Sequence, residues 1–370
     1  MRKKIIALAV ASLASGVALA QTNVTIYGNI DMGIMSRSGH NGAVANGQTQ
    51  FDLQGISSQS HIGFKGVEDL GNGLKALFDL QYRVSPDVSS GLAQAGHQYV
   101  GLTGGFGTAV AGYLDGIRYG IYGKYNPFGN YSVGNFASMT TQYDRAANAV
   151  AYISPSIGGF TLILAAATNT QGPEGSLNAI HVPASTKAGN TGDDRLVSVN
   201  LIYANGPLSI DLDYETTRAV GYRDSQLYVA TGGVSYDFGV VKLSGVYDVI
   251  KGDPNSFIGG NTTFASAAFG LAPGQEYNRR NWFIGATVPV GKFKILASYG
   301  QVKDRTLDDA DASKYAFGAR YALSKRTELY ADVAHIKNDR NAAYTINPMG
   351  NSAGTSVGVT GFDVGIRHSF

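Results

Sequence analysis

The chain has 370 residues, with 29 Lys and Arg against 27 Asp and Glu, a formal charge of +2 and no cysteine. Near-neutrality gives no support to nucleic-acid binding, and the absence of thiols excludes a disulfide framework, a cysteine nucleophile and a thiolate metal site. Gly 49, Tyr 22 and Phe 16 stand against one Trp and 10 Pro, and no stretch beyond the N-terminus is apolar for long enough to span a membrane as a helix.

In chain order, Arg2, Lys3 and Lys4 precede an apolar run from Ile5 to Leu19 that ends in Ala18-Leu19-Ala20. That is the layout of a secretory signal with an A-x-A cleavage site, and the run is shorter than the roughly 18 apolar residues of a spanning helix. The expectation is a signal peptide over 1–20 and one domain over 21–370, which would keep 26 basic residues against 27 acidic ones, formally −1. A cysteine-free chain suits passage through an oxidising periplasm.

The first strand-like run is Thr22 to Met35. Farther on, Leu208, Ile210, Leu212, Tyr214 and Thr216 alternate with Ser209, Asp211, Asp213 and Glu215. Val241, Leu243, Gly245, Tyr247 and Val249 alternate with Lys242, Ser244, Val246 and Asp248, and Tyr315, Phe317, Ala319, Tyr321 and Leu323 with Lys314, Ala316, Gly318, Arg320 and Ala322. A period of two excludes a helix but fits both a soluble sandwich and a membrane barrel. The links separate the two. Short ones at 68–73, 104–105, 155–159, 205–207, 238–239, 289–292 and 324–326 alternate with long polar ones at 36–58, 84–94, 115–146, 169–194, 218–224, 250–278, 303–312 and 338–357.

Seven short turns and eight long loops join sixteen strands, an even number that returns both termini to the side of the short turns, the periplasmic side. The fold predicted is all-β: a transmembrane antiparallel barrel closed by the first run pairing with the last, Val359 to Phe370. In that last run Phe362, Val364, Ile366, His368 and Phe370 share one face, opposite Asp363, Gly365, Arg367 and Ser369. Asp211, Asp213, Glu215, Lys242, Asp248, Lys314, Arg320, Asp363 and Arg367 read as solvated lumen groups, because a charge on the lipid face costs about 2 to 4 kcal/mol at the midplane. Tyr214, Tyr247, Phe317 and Phe370 read as interfacial aromatics.

Several segments carry a resemblance. Thr25 to Asp31 (TIYGNID), Ser60 to Ala76 (SHIGFKGVEDLGNGLKA), Tyr99 to Leu102 with Gly104 to Gly107, Pro127-Phe128-Gly129 and Asn148 to Tyr152 together resemble the general bacterial porins, in particular those of β-proteobacteria. The resemblance implies a homotrimer of sixteen-stranded, water-filled barrels in the outer membrane, each narrowed by a third loop folded inward, here 115–146. It also implies contacts with outer-membrane lipid and lipopolysaccharide, and recognition of Phe370 by the barrel assembly machinery.

The resemblance places the constriction at Asn29, His61, Lys65, Tyr113, Asp115, Arg118, Lys124, Tyr125, Asp144 and Arg145. The sequence departs from the family at Asn29, His61 and Tyr113, where basic residues are usual; Arg145 keeps the basic identity. Loop three has Lys124, Tyr125 and Asn126 in place of acids, and its charges, Asp115, Arg118, Lys124, Asp144 and Arg145, sum to +1. The expectation is a general diffusion pore for ions and small hydrophilic solutes with a mild anion preference, narrowed by Tyr113, Tyr122 and Tyr125. Alternatives are a channel specific for a small organic acid or sugar, with contacts on loops four, six and eight, or a barrel enzyme. Against the last, the chain has no G-x-S-x-G elbow, H-E-x-x-H helix or Walker A loop, and its six histidines are scattered, so no catalytic residue, metal site or cofactor is expected.

Overall fold

A strand edge left unpaired in hydrocarbon has no water to bond to, so a sheet that crosses a bilayer has to close on itself. The computed structural model describes residues 23–44, 50–54, 58–87, 92, 94–140, 144–168, 195–218, 226–253, 276–346 and 358–370. The expected signal peptide, loop four at 169–194 and most of loops six and eight lie outside the described residues.

The strands are β1 (Asn23–Ser38), β2 (Gln50–Gln54), β3 (His61–Gly71), β4 (Leu74–Arg83), β5 (Gln94–Gly104), β6 (Gly107–Asp115), β7 (Arg145–Ile153), β8 (Phe160–Thr168) and β9 (Arg195–Asn205). They continue as β10 (Leu208–Arg218), β11 (Leu227–Asp237), β12 (Lys242–Gly252), β13 (Tyr277–Val290), β14 (Phe293–Asp304), β15 (Ala312–Ala322), β16 (Thr327–Asn338) and β17 (Thr360–Ser369). Sixteen of them form a closed antiparallel barrel in which each pairs with its neighbour in the chain. The exception is β2, which lies along the loop-side end of β1 from Gly33↔Gln54 to Arg37↔Gln50, beyond the β1–β3 ladder of Asn23–Asn29 with Val67–His61. The sequence pattern reads 36–58 as loop, because five residues are too few for alternation to register. All seven short links fall where the pattern places them.

The barrel closes as expected, from Asn29↔Ser369 to Ser38↔Thr360. One residue beyond that ladder, the Phe370 N–H donates to the Gly28 carbonyl at 3.1 Å, and the Gly28 N–H donates to Phe370 O at 3.3 Å. A Cβ on Gly28 would lie 2.3 Å from the His61 carbonyl oxygen and 2.8 Å from the Phe370 ring, so the closing aromatic seats only on a glycine.

The two faces separate as lipid and lumen require. On β10, Leu212 and Tyr214 are about half exposed, whereas Asp211, Asp213 and Glu215 are buried on the inside. Outward rings form two belts. Near the short turns stand the pairs Phe160–Tyr203, Tyr236–Phe238 and Phe293–Tyr321; toward the long loops stand Tyr214–Tyr228 and the row Trp282–Tyr299–Tyr315–His335. Such girdles mark the two bilayer interfaces.

Replacing Gly28 with Val should destabilise the closed barrel by about 1–3 kcal/mol, the usual range for overpacking a tight site. Gly105→Ala, with nothing within 4 Å of its new Cβ, should be silent. Melting of strand circular dichroism in detergent reads both; equal melting of Gly28→Val and the parent would mean that the terminal ring does not need this seat.

Candidate pore constriction

Loop three leaves β6 and folds into the barrel as helix α1 (Ile117–Tyr125), followed by an irregular run with a short 3-10 turn at Ala137–Met139. Three neighbouring strands, β10 to β12, hold the helix. Arg118 is fully buried and donates to Asp248 at 2.8 Å, Thr231 at 2.9 Å and Thr140 at 3.3 Å. Tyr122 also donates to Asp248, while Lys124 and Tyr125 both donate to Asp211. Burial pushes the Tyr122 hydroxyl well above the ordinary tyrosine range, which keeps it a donor to that carboxylate.

The rest of the loop lies along β13–β17. Ser132 donates to Asp332 at 2.5 Å, the Val133 N–H to Asp363 at 2.8 Å, and Lys314 to the Asn135 carbonyl. Asp332 is also paired with Arg320, at 2.8 Å through the second guanidinium nitrogen. The apolar side chains sit on glycines of the inner wall. A Cβ would come within 2.4 Å of the Tyr125 ring at Gly233, 2.5 Å of Pro127 at Gly285, 2.5 Å of Phe136 at Gly300 and 2.9 Å of Phe128 at Gly318. Tyr122, Phe136 and Phe283 stack there into the main apolar core, which lies inside the barrel.

This packing corrects several expectations. Arg118, Lys124, Tyr122 and Tyr125 do not line the open passage; they are anchors whose charges and hydroxyls are taken up by Asp248 and Asp211. Asp211, Asp213, Glu215, Asp248, Lys314, Arg320 and Asp363 do face inward, yet they are buried rather than solvated, because the loop covers them. Arg367 remains half-exposed beside Glu328 at 2.7 Å. Tyr113 stands opposite Gln98 in the register that sets Ala111 opposite the outward Val100, so it lies on the outer face and cannot narrow the lumen.

Across from this packing stand inner-face residues of β1 and β3–β7. Asn29 and His61 contact each other at 3.1 Å, and Arg83 stands across the ladder from His61. Lys65 lies 5.0 Å from the Tyr27 ring centre. His97 is held between two carboxylates, with Nδ1 at 2.9 Å from Asp115 and Nε2 at 3.5 Å from Asp79, and Tyr27 donates to Asp79 at 2.6 Å. Arg145 reaches Asp115 at 3.0 Å and lies 5.7 Å from the Tyr119 ring centre; Asp144 precedes it at the loop's return. Where β6 meets β7 the register shifts between Gly112 and Leu114, and Asn148 takes φ 50°; such a bulge re-aims side chains, here Asp115 and Arg145 toward the lumen. From the loop, hydrogen-bonded Tyr119 and Tyr131 face this wall, and Tyr131 reaches Gln59 at 3.3 Å.

Of the residues named from the sequence, the structure brings Asn29, His61, Asp115 and Arg145 together on this side of the barrel, and it sets beside them Arg83, His97, Asp79, Tyr119 and Tyr131, which sequence reasoning passed over. Asp79, Gln81 and Arg83 carried a usable signal, polar at every second residue of β4. His97 carried none, since its two carboxylates come from separate strands.

A closed sixteen-stranded barrel with aromatic girdles, a glycine-seated inner loop and a polar gap beside it is a transmembrane pore of the outer-membrane type. Comparison with known proteins agrees. The Gram-negative porin family model matches residues 7–341. Outer membrane porin protein 32 of Delftia acidovorans is 30% identical over all of both chains, as is an outer membrane porin of Bordetella pertussis. Among solved structures, the anion-selective porin from Comamonas acidovorans superposes with a TM-score of 0.74 at 27% identity, covering 95% of this chain and 100% of that one. The chain belongs to the Gram-negative porin family, and its place is the outer membrane.

Asp248→Asn would leave Arg118 buried without its counter-charge, a loss of about 3–5 kcal/mol when a buried pair is broken. Loop three should detach, giving noisy single-channel currents and new protease cleavage within 117–140. A quiet, protease-resistant channel would show that the glycine seats alone hold the loop.

Proposed function

We propose that the gap between loop three and the β1–β7 wall conducts ions and small hydrophilic solutes passively, as a general diffusion pore with a mild anion preference and no catalytic step. The observation that carries this reading is where the cations stand. Arg118 and Lys124 are held in the packed half by Asp248 on β12 and Asp211 on β10, while Lys65, Arg83 and Arg145, the last paired with Asp115, stand on the opposite wall on β3, β4 and β7. The acids there are partly engaged: Asp79 and Asp115 both face His97, and Asp115 also faces Arg145. In a narrow low-dielectric tube a small excess of fixed charge biases entry. Likeness to the anion-selective porin from Comamonas acidovorans supports the same sign.

The constriction on this reading consists of Asn29, His61, Lys65, Arg83, His97, Asp115, Asp144 and Arg145 facing Tyr119 and Tyr131. The functional unit is a homotrimer, released from its 1–20 signal after Ala20 and delivered by the barrel assembly machinery through the Phe370 strand.

Reversal potentials in a planar bilayer under a salt gradient should show anion preference in the parent. Arg145→Gln should lower the anion-to-cation permeability ratio about threefold, the effect of roughly 0.6 kcal/mol for one charge at ~7 Å in water. The Lys124→Gln, Asp211→Asn double variant should leave the ratio unchanged, because it removes both members of a pair and keeps the net charge. An Arg145→Gln channel as anion-preferring as the parent would remove the wall arginine from the selectivity account. Saturable block by a sugar or organic acid would instead mark a substrate-specific channel.

A further inference from the structure

Beside the start of loop three, the inner wall of β6–β9 is apolar where a water-filled barrel calls for polar groups. Ala151 pairs with Val110 and with Ala165 in the register that sets the exposed Val150 outward, so these three face the interior, as do Ala149 and Ala167. With Leu114 at the end of β6, Ile117 at the start of α1 and Leu196 on β9, they bound a cavity of about 210 Å³. His97 and Asp115 border it from β5 and β6, and Ser198 and Glu215 from β9 and β10. An apolar cavity of about 150 Å³ holds one benzene, so this one has room for an aromatic ring with a short chain attached.

Two carboxylates give the cavity a charge preference. Glu215 is 2% exposed, and its Oε1 is buried without a hydrogen-bond partner. Two residues away on the same face, Asp213 accepts from Ser198 at 2.6 Å through Oδ1, while its Oδ2 is likewise buried without a partner. Arg118, on the overlying helix, is committed to Asp248 at 2.8 Å. A buried carboxylate oxygen that lacks a donor costs free energy; an ammonium, with a positive charge and three donors, meets the need of both residues. On the β6 side that need is already met, because Asp115 is engaged by His97 at 2.9 Å and Arg145 at 3.0 Å. The N-terminus of α1 also borders the cavity, at Gly116 and Ile117. It favours anions, but with about half a positive charge against two carboxylates.

We propose that this cavity is a binding site for a small amphipathic amine, whose aromatic body lies against the alanines of β7 and β8 and whose ammonium donates to Glu215 and Asp213. The small side chains of Ala149, Ala151, Ala165 and Ala167 leave the room that the ring occupies. The site depends on this stretch of wall and on the closed barrel, not on the sign of the pore's ion preference.

The test titrates the full-length porin, folded in detergent, with four ligands in a calorimeter, the heats of empty micelles being subtracted. 2-Phenylethylamine should bind at least about tenfold more tightly than its neutral isostere 2-phenylethanol, a ratio equal to about 1.4 kcal/mol. It should also exceed by at least about tenfold both methylamine, which has the charge without the ring, and 3-phenylpropionate, which has the ring with the opposite charge. The Glu215→Gln, Asp213→Asn double variant should bind the amine and the alcohol equally. Ala165→Leu, which fills the cavity, should abolish binding of both; Ala167→Leu serves the same purpose if the first variant does not fold, with strand circular dichroism as the check on folding. Equal affinity for amine and alcohol in the parent, methylamine as tight as the aryl amine, or tighter binding of 3-phenylpropionate overturns the site. So does an amine preference that survives loss of both carboxylates, binding that survives the filled cavity, or no heat from any ligand, the cavity then holding water alone.

Discussion

Hydrocarbon offers a peptide group no hydrogen-bond partner, and nearly every feature of this molecule follows from meeting that constraint by closing the sheet. Closure is made by the β1–β17 ladder from Asn29↔Ser369 to Ser38↔Thr360, with the backbone exchange between Gly28 and Phe370 at its foot. Once the edges are joined, every strand has one face toward lipid and one toward the interior, and the period-two pattern turns into a chemical sorting: Leu212 and Tyr214 outside, Asp211 and Asp213 inside. At the depth of the hydrocarbon, the interior is then where charge is cheap.

Loop three divides that interior into a packed half and an open half. Over β10–β17 the loop makes a core of Tyr122, Phe128, Val133, Phe136 and Phe283, and the glycines beneath it let rings approach the wall backbone. Arg118 and Lys124 serve this packing by meeting Asp248 and Asp211. A charge fully engaged in an ion pair out of water has little field left for a passing ion. The other wall carries its own charges, where His97 ties together acids from β4 and β6 and Arg145 pairs with Asp115.

The outer surface is zoned by depth. A belt of rings near the short turns, an apolar band, a second belt from Trp282 to His335 and then a cationic rim follow one another along the strands. Each zone matches the solvent at its level, from periplasmic headgroups through hydrocarbon to the outer leaflet, so that the side chains on a single strand such as β13 report the whole profile from Pro289 up to Arg280.

The sequence by itself determined the barrel. Alternation at 208–216, 241–249 and 314–323, the long and short links, and the apolar face ending in Phe370 are local properties, and closure by the first and last runs follows from them because lipid forbids open edges. Which residues line the passage was decided by tertiary structure. Alternation separates inside from outside but cannot tell a lumen charge buried under loop three, such as Asp248, from one left partly exposed, such as Arg367. Nor could it show that Arg118 and Lys124 would find counter-charges more than eighty residues away, that a register between β5 and β6 would carry Tyr113 to the lipid face, or that His97 would sit between Asp79 and Asp115. Those outcomes depend on where a loop of the chain comes to rest against distant strands, and that is set by packing on glycines spread over five of them, not by any pattern within the loop.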